Sequence, residues 1–144
     1  MDSKKDMRLN YDYTNLKRTI NVSQKMQFLG CDIVGRSTPC VAIGDNLNLI
    51  MHCRANTDVE NMGIRFEILF QDETFAGTTF GDKMISGRKG EVFDMEISLG
   101  TKHLAPGQYG VAALFYEQDP SGNQNGIDRV YPAFQFETFH EDAE

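Results

Sequence analysis

Arginine, glutamate, glutamine and tyrosine gather in three stretches of this chain: Arg65 and Glu67; Leu114 and Tyr116; Arg129, Tyr131 and Gln135. Planar polar groups of these kinds grip hydroxyls through paired hydrogen bonds, and a tyrosine ring offers its face to axial C–H patches. Together they have the chemistry of a surface for polyols, provided that three separate stretches share one face. Other chemistry is harder to assemble. His52, His103 and His140 stand far apart, with neither HxH nor HExxH spacing, so each reads as a surface or loop histidine and no metal site is assigned. Asp119, Asn123, Asn125 and Asp128 crowd one loop. An EF-hand frame begun at Asp119 would need glycine where Gln124 stands, and no glutamate follows at its twelfth position, so these residues serve turn geometry. Gly87-Arg88-Lys89-Gly90 fails the phosphate-loop spacing, and no GxSxG elbow occurs. Glu67 with Asp128 or Glu117 could serve glycosidic hydrolysis if folding set the pair roughly 5–10 Å apart. With 21 acids in the chain such pairs arise by coincidence, so the expectation is a protein that is not an enzyme and carries no cofactor.

Charge narrows the partners. Lys and Arg number 14 against 21 Asp and Glu, a formal charge of −7 over 144 residues. Such a chain repels phosphate backbones and anionic membranes, so no nucleic acid is expected as a partner. The longest apolar stretch, Val111–Tyr116, has the length of a strand and falls far short of the ~18 residues of a membrane span. The opening Met1-Asp2-Ser3-Lys4-Lys5-Asp6 has charge without an apolar segment behind it, unlike a signal peptide. Cys31, Cys40 and Cys53 are odd in number and lack CxxC spacing, which fits reduced thiols in a cytosolic protein.

The elements that must position the polar stretches follow from periodicity. Residues 1–24 are polar, with scattered Leu9, Tyr11, Tyr13, Leu16 and Ile20, and read as a linker or an arm that orders only against something else. Residues 25–140 form the β-rich domain, and 141–144 a tail. Seven apolar runs divide it. The first is Lys25–Val34. In the second, Leu47, Leu49, Met51, Cys53 and Ala55 share a face; in the third, Ile64, Phe66, Ile68 and Phe70. A weaker fourth covers 74–85. Phe93, Met95, Ile97 and Leu99 mark the fifth, Tyr109, Val111, Ala113 and Phe115 the sixth, and Arg129–Phe139 the seventh. Short strands, frequent turns and no amphipathic helix predict an all-β, immunoglobulin-like antiparallel sandwich of about seven to eight strands. Such a topology puts runs one, two, four and five in one sheet and three, six and seven in the other.

On the three–six–seven sheet, with Phe66, Phe115 and Phe134 inward, the opposite face carries Arg65, Glu67 and Leu69, then Gly110, Ala112, Leu114 and Tyr116, then Arg129, Tyr131 and Gln135. Small residues between larger ones predict a shallow trough. The competing reading is an apolar dimer contact through Leu69, Leu114 and Tyr131.

Four segments, in order, carry a family resemblance. They are Gly44-Asp45-Asn46-Leu47 through Arg54-Ala55-Asn56; Ile64-Arg65-Phe66-Glu67-Ile68 followed by Phe75-Ala76-Gly77-Thr78-Thr79; Gly90-Glu91-Val92-Phe93-Asp94-Met95; and Leu104-Ala105-Pro106-Gly107-Gln108-Tyr109. Over residues 25–139 the chain resembles the C-terminal polysaccharide-binding domain of Wzt-type ATPases, subunits of O-antigen ABC transporters. The resemblance implies a noncatalytic, cytoplasmic module at the inner face of the membrane. It would recognise the end of an undecaprenyl-linked, O-antigen-like polysaccharide, as in lipopolysaccharide export, together with a transporter ATPase and permease. It also implies a homodimer with an exchanged terminal strand, here residues 127–139. The alternative is a structural or dimerisation module of an exporter or glycosyltransferase that binds no glycan itself. The chain has no Walker motif, and the family's glycan contacts vary, so the site residues rest on the sheet-face argument alone.

Overall fold

The computed structural model describes residues 8–18, 22–81 and 84–141, all of them outside helices. Within the expected arm and tail, residues 1–7, 19–21 and 142–144 lie outside the described residues. Ten strands follow in chain order: β1 (Asn10–Asp12), β2 (Met26–Val34), β3 (Cys40–Ala42), β4 (Asn46–Ala55), β5 (Val59–Phe70), β6 (Phe75–Phe80), β7 (Ile85–Gly87), β8 (Val92–Gly100), β9 (Gly107–Gln118) and β10 (Gln124–Phe139). One sheet has the order β1-β2-β4-β8, and the other β3-β10-β9-β5-β6, with β7 paired to β5. The protein is an all-β sandwich. Seven strands match the periodic runs; β1, β3 and β7, each three residues long, are too short to carry a period.

The weak fourth run corrects the expected sheet membership. Its strand β6 pairs with β5, in the same sheet as β9 and β10, and not with the fifth run. The cause is local. Asp72 accepts hydrogen bonds from the Thr74 amide and hydroxyl, and Phe70 N–H bonds back to Thr74 O, closing a four-residue turn that leaves β6 nowhere to go but alongside β5.

The core lies between the sheets. Leu47, Leu49, Met51, Cys53 and Ala55 point into it from β4, as period two requires, and Phe66, Phe115, Phe134 and Phe136 fill it from the other sheet. Phe28 stacks on Phe115 across the layers, with ring centroids 4.0 Å apart. Such a pair adds about 0.5–1.5 kcal/mol beyond its buried area. On β8 the expected inward residues Phe93, Met95 and Ile97 are only partly buried, because β8 is an edge strand.

Residues 8–18 lie along the edge of the sandwich. β1 pairs with β2, and two tyrosines then reach across to β10: Tyr13 Oη donates to Ala133 O, and Tyr11 Oη accepts from Gln135 N–H at 3.0 Å. Both rings are buried. Arg18 ends this stretch by clasping Asp128, which has no exposed surface. Arg18 Nε and Nη2 meet the two carboxylate oxygens at 2.7 and 3.0 Å, and Asp128 also accepts from Phe28 N–H at 2.9 Å.

Candidate functional site

Alternation along β5, β9 and β10 turns Arg65, Glu67 and Arg129 to the outer face of the larger sheet. Register then sets their spacing. Leu114 on β9 lies between Arg65 on β5 and Arg129 on β10; Ala112 pairs with Glu67; Gly110 lies between Leu69 and Gln135. Past Val130 the ladder slips and resumes at Phe134. Two extra residues keep the parity, so Gln135 stays on the outer face. The Tyr131–Pro132 bond within this irregularity is cis.

Glycines make room for the rings. Tyr116 lies across Gly63 of the neighbouring strand, where a Cβ would collide with its ring. The hydroxyl of Tyr131 hangs over Gly110, where a Cβ would meet it at 3.0 Å. Rings laid over cross-strand glycines cover the exposed backbone and fix the ring plane. Phe80, opposite Arg65 on β6 and 50% exposed, meets Tyr116 edge-on at 6.2 Å. It lengthens the wall at that end.

Between the rings sits a charged bridge. Glu67 Oε2 is 3.5 Å from Arg65 Nη2, and Glu67 Oε1 is 3.6 Å from Arg129 Nη2. Arg65 Nη1 donates to Gln124 Oε1. The guanidinium of Arg65 stands 5.8 Å from the Tyr116 centroid, and that of Arg129 5.7 Å from the Tyr131 centroid. Both are within cation–π reach. Burial raises the Tyr131 pKa above its ordinary value, and the charge of Glu73 adds to this while Arg129 opposes it; the phenol is a protonated donor at neutral pH.

Of the expected residues, Arg65, Glu67 and Arg129 meet directly, and Tyr116 and Tyr131 flank them. Gln135 lies beyond Gly110. Leu114, 5% exposed, and Tyr116, 9% exposed, are not open surface: Leu114 lies between its cross-strand neighbours Arg65 and Arg129, and Phe80 and Arg65 pack on Tyr116. Leu114 is floor under the bridge, unavailable as the apolar contact considered from the sequence. The carboxylates set beside Glu67 as hydrolytic partners are elsewhere. Asp128 is buried under Arg18, and Glu117 pairs with Lys25 at 3.5 Å. Gln124 and Phe80 were not legible in the sequence, one lying in the turn before the seventh run and the other depending on the β5–β6 pairing.

A second polar constellation also escaped the sequence. On the outer face of the smaller sheet, His52 places Nδ1 2.6 Å from Asp94 and Nε2 2.8 Å from Asp32, which accepts in turn from Asn10. A separate cleft of about 600 Å³ opens beside β1 and β3, lined by residues 8–10 and 37–40, and takes in none of the trough residues. Among the described residues, no group of three or more His, Cys, Asp or Glu could hold a metal ion.

Fold and site together define a two-layer immunoglobulin-like sandwich whose larger sheet carries rings and guanidiniums on its outer face. A solved structure described as the C-terminal domain of Wzt matches with a TM-score of 0.70 over 98% of this chain and 91% of that one, at 15% identity. The chain therefore has the fold of the Wzt C-terminal domain. A Niemann-Pick type C2 protein from the Japanese carpenter ant matches with a TM-score of 0.58 at 10% identity, over 81% of this chain and 95% of that one. No protein-family model and no curated relative match the sequence.

Proposed function

We propose that the chain is a noncatalytic glycan-binding module that recognises the end of a lipid-linked, O-antigen-like polysaccharide for export by an ABC transporter. The observation that carries this reading is the trough, in which Tyr116 and Tyr131 bracket the Arg65–Glu67–Arg129 bridge on a sheet of a Wzt-like fold. The half-buried ring of Tyr131 serves a C–H face of a pyranose, with covered Tyr116 backing Arg65, and the bridge supplies donors and an acceptor for its hydroxyls. Each hydroxyl bond adds about 0.5–1.5 kcal/mol net, so affinity for one chain end falls between micromolar and millimolar. A homodimer, with residues 127–139 exchanged between copies, raises effective affinity by local concentration. Its setting in this proposal is the cytoplasmic face of the membrane, beside a transporter ATPase and permease. Covered Leu114 favours this over the reading of the trough as an apolar dimer contact. An NMR titration with polysaccharide purified from the protein's own source tests it. Resonances of Arg65, Tyr116 and Arg129 are expected to move. If others move and these stay, the site is misplaced; if none moves at saturation, the glycan-binding role fails.

A further inference from the structure

We infer that the trough selects a saccharide bearing an anionic group, with Arg65 and Arg129 as the residues that read the charge. This rests on the glycan-binding reading above and narrows it to a ligand class.

Each guanidinium carries five N–H donors and no acceptor. Arg65 and Arg129 share a single carboxylate, at 3.5 and 3.6 Å, and Arg65 also reaches the Gln124 carbonyl. Charge-assisted bonds between such groups close to about 2.7–2.9 Å when geometry permits. The bridge is therefore slack, and among the described residues Glu67 is the one carboxylate within 4 Å of either guanidinium. The same chain contains a fully engaged arginine for scale. Arg18 meets Asp128 at 2.7 and 3.0 Å and also donates to the carbonyls of Tyr13, Leu16 and Phe28. Among the described residues, no such set of short bonds engages Arg65 or Arg129, whose side chains are partly exposed.

Arg65, Arg129 and Glu67 together carry one positive charge on a chain of net −7, with the Glu73 carboxylate near Tyr131 at the rim. An anionic sugar is repelled by most of this protein and attracted here. A carboxylate or phosphate oxygen of the ligand enters the two guanidinium forks, and Glu67 turns from resident counter-ion to acceptor of sugar hydroxyls. Tyr131 packs on the pyranose ring, while Tyr116, covered by Phe80 and Arg65, backs the Arg65 guanidinium. A neutral saccharide leaves the surplus donors to water.

The test is a panel of immobilised bacterial surface polysaccharides in neutral, uronate-bearing and phosphate-bearing groups. Each acidic member is paired with its carboxyl-reduced or dephosphorylated form. The chain is expected to retain acidic polymers, and removal of the charged group should weaken binding about tenfold or more, as expected for bonds to a charged group. The two acidic arms distinguish uronate from phosphate. R129Q should lose as much affinity, R129K should keep part of it by retaining charge without the planar fork, and E67Q should bind at least as tightly as the parent by removing the competing anion. The charge-removal arm uses the unaltered protein and so does not depend on a variant folding. Retention of neutral polymers only, or unchanged affinity after charge removal, overturns the inference and leaves the glycan-binding role standing. Retention of no polysaccharide at all overturns both.

Discussion

Arg18 and Arg129 each face a carboxylate, and the two arrangements differ in what decides a guanidinium's role. Arg18 and Asp128 are buried, bidentate and short, and Asp128 is fixed further by the Phe28 amide. Arg129 and Arg65 share Glu67 across long distances on a partly exposed face. Burial raises the cost of breaking a pair, because the abandoned charge stays desolvated. Exposure lowers it, because water takes over. The first arrangement holds residues 8–18 against the sandwich; the second leaves donors free to change partners. One protein thus uses the same chemistry once buried, for architecture, and once slack on a partly exposed face.

Asp128 carries the largest expected effect. Asp128→Ala strands Arg18 and the Phe28 amide, and unfolding in urea is expected to show a loss of about 3–5 kcal/mol. A loss under about 1 kcal/mol would erase the distinction. Tyr13→Phe removes the hydroxyl donated to Ala133 O and leaves that carbonyl unsatisfied, at a cost of about 1–3 kcal/mol by the same measurement. Glu67→Gln, on the open side, should shift stability by less than about 1 kcal/mol while altering ligand affinity. Comparable destabilisation by E67Q and D128A would make the trough structural.

His52 forms a third arrangement, between two carboxylates on a half-exposed face. Hydrogen bonds donated to Asp32 first and Asp94 second raise its pKa above the ordinary 6.5. A raised folded pKa means that the stabilisation is fully present below the unfolded value and is lost as pH rises through the folded one. The urea midpoint of the parent should therefore fall relative to His52→Asn as pH increases from 6 to 9. Parallel curves would show that the imidazolium contributes nothing.

Period-two alternation told apart the faces of β4, β5 and β9, because a strand can bury only every second side chain of each face. That was enough to turn Arg65 and Glu67 outward with Phe66 inward. The three-residue strands left no period to read, and β6 was assigned to the wrong sheet because strand partners depend on the turn at 71–74 and not on the run itself. The trough residues were legible as types on a face. The covering of Leu114 was not, since it depends on both neighbouring strands placing an arginine at the same level. Nor was the His52 constellation, whose three members come from strands distant in sequence.

The sequence by itself determined the β class, the inward and outward faces of the long strands and the absence of a motif for catalysis, because these depend on local spacing and residue type. Only the tertiary structure decided which strands are neighbours, which arginine is clasped and which is slack. Those depend on register and burial, and a buried charge differs from an exposed one by its loss of water, which no stretch of residues carries on its own.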